Sequence, residues 1–325
     1  MDMAWHAWHG MEYVFKGGYI VTPMKYIVVL LTVIVLITGC TEQLPEEPGI
    51  KKVDIPAPDY TALQEEYTRE KQAITGSYEE KPFDGKIAVI RIEGILDSED
   101  VMPIAAKLRE VSADSTIDGV LLWIDSPGGS VAATTQITYE VERLKNAKPV
   151  VAYTGGVSAS GGYYVMSVCD SIVVRPDAEV GSIGVIYVHI DASGYYSQFG
   201  FDIEVFKTGE HKDAGADWRD LTQKERQYIT DSLYDAFYRF VYTVSRGRGL
   251  TTEYVEEYAD GMVWLGSDAV NLGFADILGN FDEAVTELER LTGIQNAELV
   301  FIEINDSGEI EEFQWETVLY LYMGS

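Results

Sequence analysis

The chain has 325 residues, 24 Lys and Arg against 53 Asp and Glu, a formal charge of −29 and only two cysteines, with a mean hydropathy of −0.04. A polytopic membrane protein would be far more apolar, a disordered chain would not carry 46% hydrophobic residues, and two cysteines cannot staple a disulfide scaffold. So acidic a chain repels phosphate, which argues against nucleic acid as a partner and leaves a globular protein long enough for one large domain or two small ones.

The acidic excess is uneven. Residues 1–39 hold Asp2 and Glu12 against Lys16 and Lys25, so the residues beyond them carry the whole −29. Tyr26 to Thr38 is a 13-residue run without charge or helix breaker, preceded by Lys25 and followed by Gly39 and Cys40. A bilayer span needs about 18 to 20 residues and the apolar core of a signal peptide about 7 to 15, so the run reads as a targeting segment. Ile37-Thr38-Gly39-Cys40 resembles a lipobox, which makes Cys40 the expected lipidation site; an uncleaved anchor is the alternative. Lysines before the run and Glu42, Glu46 and Glu47 after it send the rest of the chain outward. The expected location is therefore the cell membrane, with the globular part on the extracytoplasmic side. Residues 1–40 form this signal or anchor segment. Residues 41–80 form a tether, with Pro45, Pro48, Pro56 and Pro58 among acidic and small residues.

From Lys86 the pattern changes to short β-branched runs between helical stretches. Lys86 to Ile95, Gly119 to Ile124 and Pro149 to Tyr153 read as strands, separated by helices over Asp100 to Val111 and Val131 to Lys145. Ser160 to Val168 reads as a helix. Ser171 to Val174, Gly184 to Ile190 and Phe201 to Phe206 read as further strands. Such alternation predicts an α/β fold of repeated β-α-β units with a parallel sheet and right-handed crossovers. Leu221 to Arg246 is the longest helix, opened near Thr222 and stopped at Gly247 and Gly249, and its Tyr234, Tyr238 and Tyr242 are read as core or subunit packing. Helices over Thr251 to Ala259, Ser267 to Asn271 and Phe281 to Leu291 and a strand over Ala297 to Ile304 complete the pattern. Glu311 to Met323 receives no assignment, and no internal repeat is present.

The chemistry-bearing residues are few. Beyond residue 39 the chain has two histidines, His189 and His211, and one cysteine besides Cys40. That set offers no zinc site, no phosphate-binding loop is present, and no metal or cofactor is expected. Cys169, in an apolar stretch, reads as an inert buried thiol. Three glycine-rich elements stand out. Asp125-Ser126-Pro127-Gly128-Gly129-Ser130 follows a strand, and its consecutive glycines suit backbone N–H groups turned toward an oxyanion. Ser158-Ala159-Ser160-Gly161-Gly162 sits at a strand-to-helix junction, like a nucleophile turn at Ser160. Gly181-Ser182-Ile183-Gly184 is the third. A serine nucleophile needs a base, and His189 looks like a strand residue. His211 and Lys212, in a loop after Phe206, remain; a lysine serves only when neutral, which takes burial or neighbouring positive charge to bring its pKa down from about 10.4.

Together DSPGGS (125–130), SASGGYY (158–164), GSIGV (181–185) and TGEHKD (208–213) resemble the signal peptide peptidase A family of serine-lysine proteases, which has the ClpP/crotonase-like fold. SRGRGL (245–250) and ADGMVWLGSDAVNLGFAD (259–276) are similar to that family as well, and the resemblance spans about Lys86 to Thr292. It implies Ser160 as nucleophile, Lys212 as general base, Gly161 with Gly128 or Gly129 as oxyanion donors, and Ser182 holding the lysine amine. His211 is a departure and is expected to face away. The implied activity is a membrane-tethered serine endopeptidase that degrades signal-peptide remnants and other hydrophobic or unfolded peptides, assembled as a homo-oligomeric ring. Some family members complete the site with residues of an adjacent subunit. The expected organisation is a protease domain over residues 81–295 with a C-terminal extension over 296–325. A crotonase-type acyl-CoA enzyme and a catalytically inactive, membrane-tethered peptide-binding scaffold are the alternatives.

Overall fold

The computed structural model describes residues 82–304 and 310–314, so the apolar run, Cys40 and the proline-rich tether lie outside the described residues. Strand β1 (Gly85–Leu96) leads through helix α1 (Ser98–Ala113) to β2 (Gly119–Gly129), and α2 (Val131–Lys145) leads on to β3 (Val150–Thr154). The three strands pair in parallel, Ile87 beside Gly119 and Val120 beside Val150. Helix starts are set by local chemistry. Asp97 caps α1 in a reciprocal capping box with Asp100, and the Ser130 hydroxyl accepts from Ala133 N to start α2.

Short elements follow: β4 (Val157–Ala159), α3 (Gly161–Met166), β5 (Ser171–Val174) and β6 (Glu179–Gly181). Next come α4 (Ser193–Gln198), α5 (Gln223–Arg248), α6 (Thr252–Tyr258), β7 (Val263–Leu265) and α7 (Gly266–Asn271). The chain ends with β8 (Ile277–Leu278), α8 (Phe281–Thr292), β9 (Ala297–Ile304) and β10 (Ile310–Gln314). The main sheet runs β10-β9-β1-β2-β3-β5-β8, parallel except where β10 returns along β9. A smaller branch leaves the end of β2: β4 pairs with β2 at Ser126 and Ser158, β6 with β4, and β7 antiparallel with β6.

Helices cover both faces, so the central strands are apolar on both sides. On β1, Ala88, Ile90 and Ile92 join the core beneath α1, α2 and α5, while Ile87 and Val89 join a second cluster with Ala284 and Leu288 of α8. Each buried Ile, Val or Leu side chain contributes roughly 1.5–3 kcal/mol.

Two expected strands are absent. Residues 184–190 and 201–207 form neither helix nor strand, and Ile186, Val188, Ile190, Phe201 and Phe206 are exposed. Their composition suits a sheet, but neither segment pairs with a strand; it is β7 that pairs with β6, with Gly181 beside Val263. Sequence patterning missed β4, β6, β7 and β8, which have two or three residues each, too few to display a period of two, and the five-residue β10, which lies mostly in the unassigned stretch. Among the described residues no helix is long and apolar enough to cross a membrane.

Candidate active site

Three glycine-rich turns converge because β2, β4 and β6 are parallel neighbours. Asp125 to Gly129 ends β2, Ser160 follows β4, and Ser182 follows β6, so all three leave their strands at the same carboxyl edge. The Ser126 hydroxyl shapes the first turn: it donates to Gly94 O at 2.6 Å and accepts from Gly128 N at 3.1 Å. Gly128 has φ +99°, and a Cβ there would lie 2.5 Å from Gly161 N. A side chain would therefore collide with the backbone of the next turn as well as strain its own.

Ser160 sits in a sharp turn with φ 50° and ψ −117°, a conformation that costs a residue with a side chain. The surroundings over-determine it. Ser160 N donates to Gly181 O at 2.8 Å, and Tyr164 N donates to Ser160 O at 2.9 Å as α3 begins. Behind it, Tyr163 is fully buried, and its hydroxyl donates to Phe274 O at 2.7 Å. Burial pushes that phenol far above its ordinary range. The Ser160 hydroxyl caps nothing, and Ser160 lines a groove of about 740 Å³.

Loop and helix share the groove wall. Gly129, Ser130, Thr134, Ser160, Gly161 and Ser182 line one part, and Leu233, Ala236, Phe237 and Phe240 of α5, with Val131, Val185 and Ile186, supply the apolar part. The α5 residues recur at i, i+3, i+4 and i+7, one helical face. That stripe was visible in the sequence, where it has the pattern of ordinary core packing. The exposed Tyr234, Tyr238 and Tyr242 of α5 are not core; Tyr234 borders the groove and stacks on Tyr238 at 6.0 Å between ring centroids.

Of the residues singled out in the sequence, Gly128, Gly129, Ser160, Gly161 and Ser182 are brought together. The N–H of Gly128 is committed to Ser126, which leaves Gly129 and Gly161 as the oxyanion pair to consider. Ser182 lines the groove at φ 50°, but its hydroxyl donates to Gly261 O at 3.0 Å, not to an amine. Lys212 is exposed in the turn after residue 207 and is not among the residues lining the groove. His211 turns instead to Glu225, Nδ1 lying 3.1 Å from its carboxylate. His189 is half-buried in the irregular segment before α4. Cys169 is buried, and burial pushes its thiol up to about 12, far from a reactive thiolate at neutral pH.

The family model for peptidase family S49 matches residues 142–295, and that for Clp protease matches residues 85–178. A Synechocystis protein named as a protease is 33% identical over 64% of this chain and 75% of its own length. The chain belongs to peptidase family S49. Within that family it is of the signal peptide peptidase A type, on a mixed α/β fold with a Clp-protease-like region. The S49 match takes in the turns at Ser160, Ser182 and Lys212, and the Clp match takes in Gly128 and Gly129. Protease 4 of Haemophilus influenzae is 35% identical over 63% of this chain and 35% of its own. The chloroplastic serine protease SPPA of Arabidopsis thaliana is 29% identical over 67% and 33%. This S49 chain thus spans about a third of the length of those two relatives.

Proposed function

We propose that this chain is a serine endopeptidase acting on apolar peptide segments, with Ser160 as nucleophile and Lys212 as general base. The neutral amine of Lys212 takes the Ser160 hydroxyl proton, and the alkoxide attacks a peptide carbonyl. The N–H groups of Gly129 and Gly161 hold the resulting oxyanion. The proton passes to the leaving amine, an acyl-enzyme forms on Ser160, and water releases the acid. The observation that carries the reading is the strained Ser160 turn, packed against Gly128 and Gly161 and open to an apolar groove.

Lys212 lies outside the groove of its own chain, and apolar side chains from Ile186 to Phe206 stand exposed along the segment before it. Both facts support a site completed by a second copy, whose Lys212 reaches Ser160 of the first. The Clp-like match and the relatedness to a capsid assembly protease of phage lambda agree with an oligomer. The substrates proposed are signal-peptide remnants and other hydrophobic stretches, met at a membrane to which the N-terminal apolar run and Cys40 tether the chain outward.

Ser160→Ala and Lys212→Ala, each assayed on a denatured protein substrate, are expected to be inactive alone and to regain activity when mixed. Full activity in either single variant would refute the mechanism. Two inactive variants that stay inactive after co-refolding would confine the dyad to one chain.

A further inference from the structure

Lys212 has no regular element to hold it. Its N–H reaches Gly209 O at 3.2 Å within a run of turns, and its side chain makes no hydrogen bond or ion pair among the described residues. The place of its amine is therefore set by where the backbone puts its Cα.

The two residues flanking it are both fixed, and by the same group. Asp213 accepts from Arg219 Nη2 at 2.8 Å and Nε at 3.2 Å. Arg219 Nη1 and Nη2 also donate to Glu225 at 2.9 and 2.8 Å. Glu225 then meets His211 Nδ1 at 3.1 Å and accepts from Thr222 N at 2.8 Å, closing the cap of α5. The contacts form a ring, His211 to Glu225 to Arg219 to Asp213, that starts and ends on the neighbours of Lys212. The Asp213 and Glu225 side chains are only 8% and 3% exposed, so few waters compete. Lys207 Nζ closes the outer side, donating to Asp213 at 2.7 Å and to Glu210 O at 2.8 Å.

We propose that Arg219 is a positioning residue for Lys212, clamping both of its chain neighbours to the first turn of α5. The proposal rests on Lys212 being the general base. A planar guanidinium is suited to the task because it bridges two carboxylates with four N–H groups, which an ammonium cannot do in that geometry. Hydrogen bonds from Arg219 hold both carboxyls below the usual carboxylate range, so the clamp stays charged at neutral pH. The ring also keeps Asp213 occupied, so the carboxylate beside Lys212 is not left to pair with its amine.

The test is a double-mutant cycle in the full chain on an apolar peptide substrate. Arg219→Met is expected to lower kcat by about 10–100-fold with KM within about two-fold, as a displaced catalytic group does. Arg219→Lys is expected to recover only part of the loss. Read on the residual or amine-rescued rate of Lys212→Ala, adding Arg219→Met is expected to cost nothing further. A small alkylamine that restores turnover to Lys212→Ala is expected to do so equally with and without Arg219→Met, because a free amine needs no loop to place it. Circular dichroism and the unfolding midpoint of Arg219→Met report whether the chain is intact, and Arg219→Lys keeps the cycle usable if it is not. Unchanged kcat in Arg219→Met beside an inactive Lys212→Ala overturns the proposal, as does an additive loss in the double variant. Full activity in Lys212→Ala overturns the assignment of the base itself, whatever Arg219→Met does.

Discussion

Ser160 and Gly128 make the most local case for a reaction site. A residue with a side chain held at φ 50°, ψ −117° is disfavoured unless its neighbours impose it, and here Gly181 O and the start of α3 do. Gly128 gives the complementary constraint, because its positive φ and its approach to Gly161 N both exclude a side chain. Gly128→Ala is therefore expected to push the Gly161 N–H out of line at a cost in stability. Loss of one oxyanion donor costs about 10²–10³ in kcat. The measurement is the rate at which a fluorophosphonate probe labels Ser160 beside the unfolding midpoint. Unimpaired labelling in a stable Gly128→Ala chain would remove Gly161 from the oxyanion site.

At the scale of elements, α5 does two jobs that its sequence shows only in part. Its Thr222 to Glu225 capping box is plain in the sequence, yet the same Glu225 also anchors the Lys212 loop through Arg219. A capping glutamate looks the same whether or not a distant arginine shares it, so that second use waits for the fold. The Arg219 hydrogen bonds lower the pKa of both Asp213 and Glu225 below their ordinary values. Unfolded carboxyls titrate near 4, so the stability the ring contributes is complete above about pH 4–4.5. It is lost progressively as pH falls from there toward the lowered native values. Hydrogen exchange of residues 207–225, corrected for intrinsic rates, is expected to hold steady from about pH 7 to pH 5 and to rise below about pH 4, ahead of β1 and β2. Exchange that rises instead between about pH 7 and pH 5 would show that the carboxylates of the ring do not hold the loop.

Across the whole molecule the C-terminal strand is a structural member. Ala297 to Ile304, expected as a strand, form β9, which pairs in parallel with β1, with Val300, Phe301 and Ile302 buried. At roughly 1.5–3 kcal/mol for each such side chain, their loss rivals the margin of about 5–15 kcal/mol that holds an ordinary domain. A chain ended at Gln295 would also expose the edge of β1 as a template for mispairing. It is expected to aggregate or to lose cooperative unfolding, measured by solubility and thermal melting. A soluble truncated chain with an unchanged melt would make β9 dispensable.

The sequence by itself determined the α/β alternation, most helix starts, the three glycine-rich turns and the inert Cys169. These rest on local physics: periodicity, capping side chains, residues suited to special dihedrals, and an apolar neighbourhood that stays apolar once folded. Only the tertiary structure decided that the turns at Gly128, Ser160 and Ser182 converge, since that depends on the registers of β2, β4 and β6 rather than on any one of them. It also decided that 184–190 and 201–206 are not strands, because an apolar alternation forms a strand only where another strand pairs with it, and both segments lie unpaired. The same reason applies to Lys212. Its residue type was legible in its motif, but its distance from the groove and its hold by Arg219 are products of contacts between segments, which no local pattern encodes.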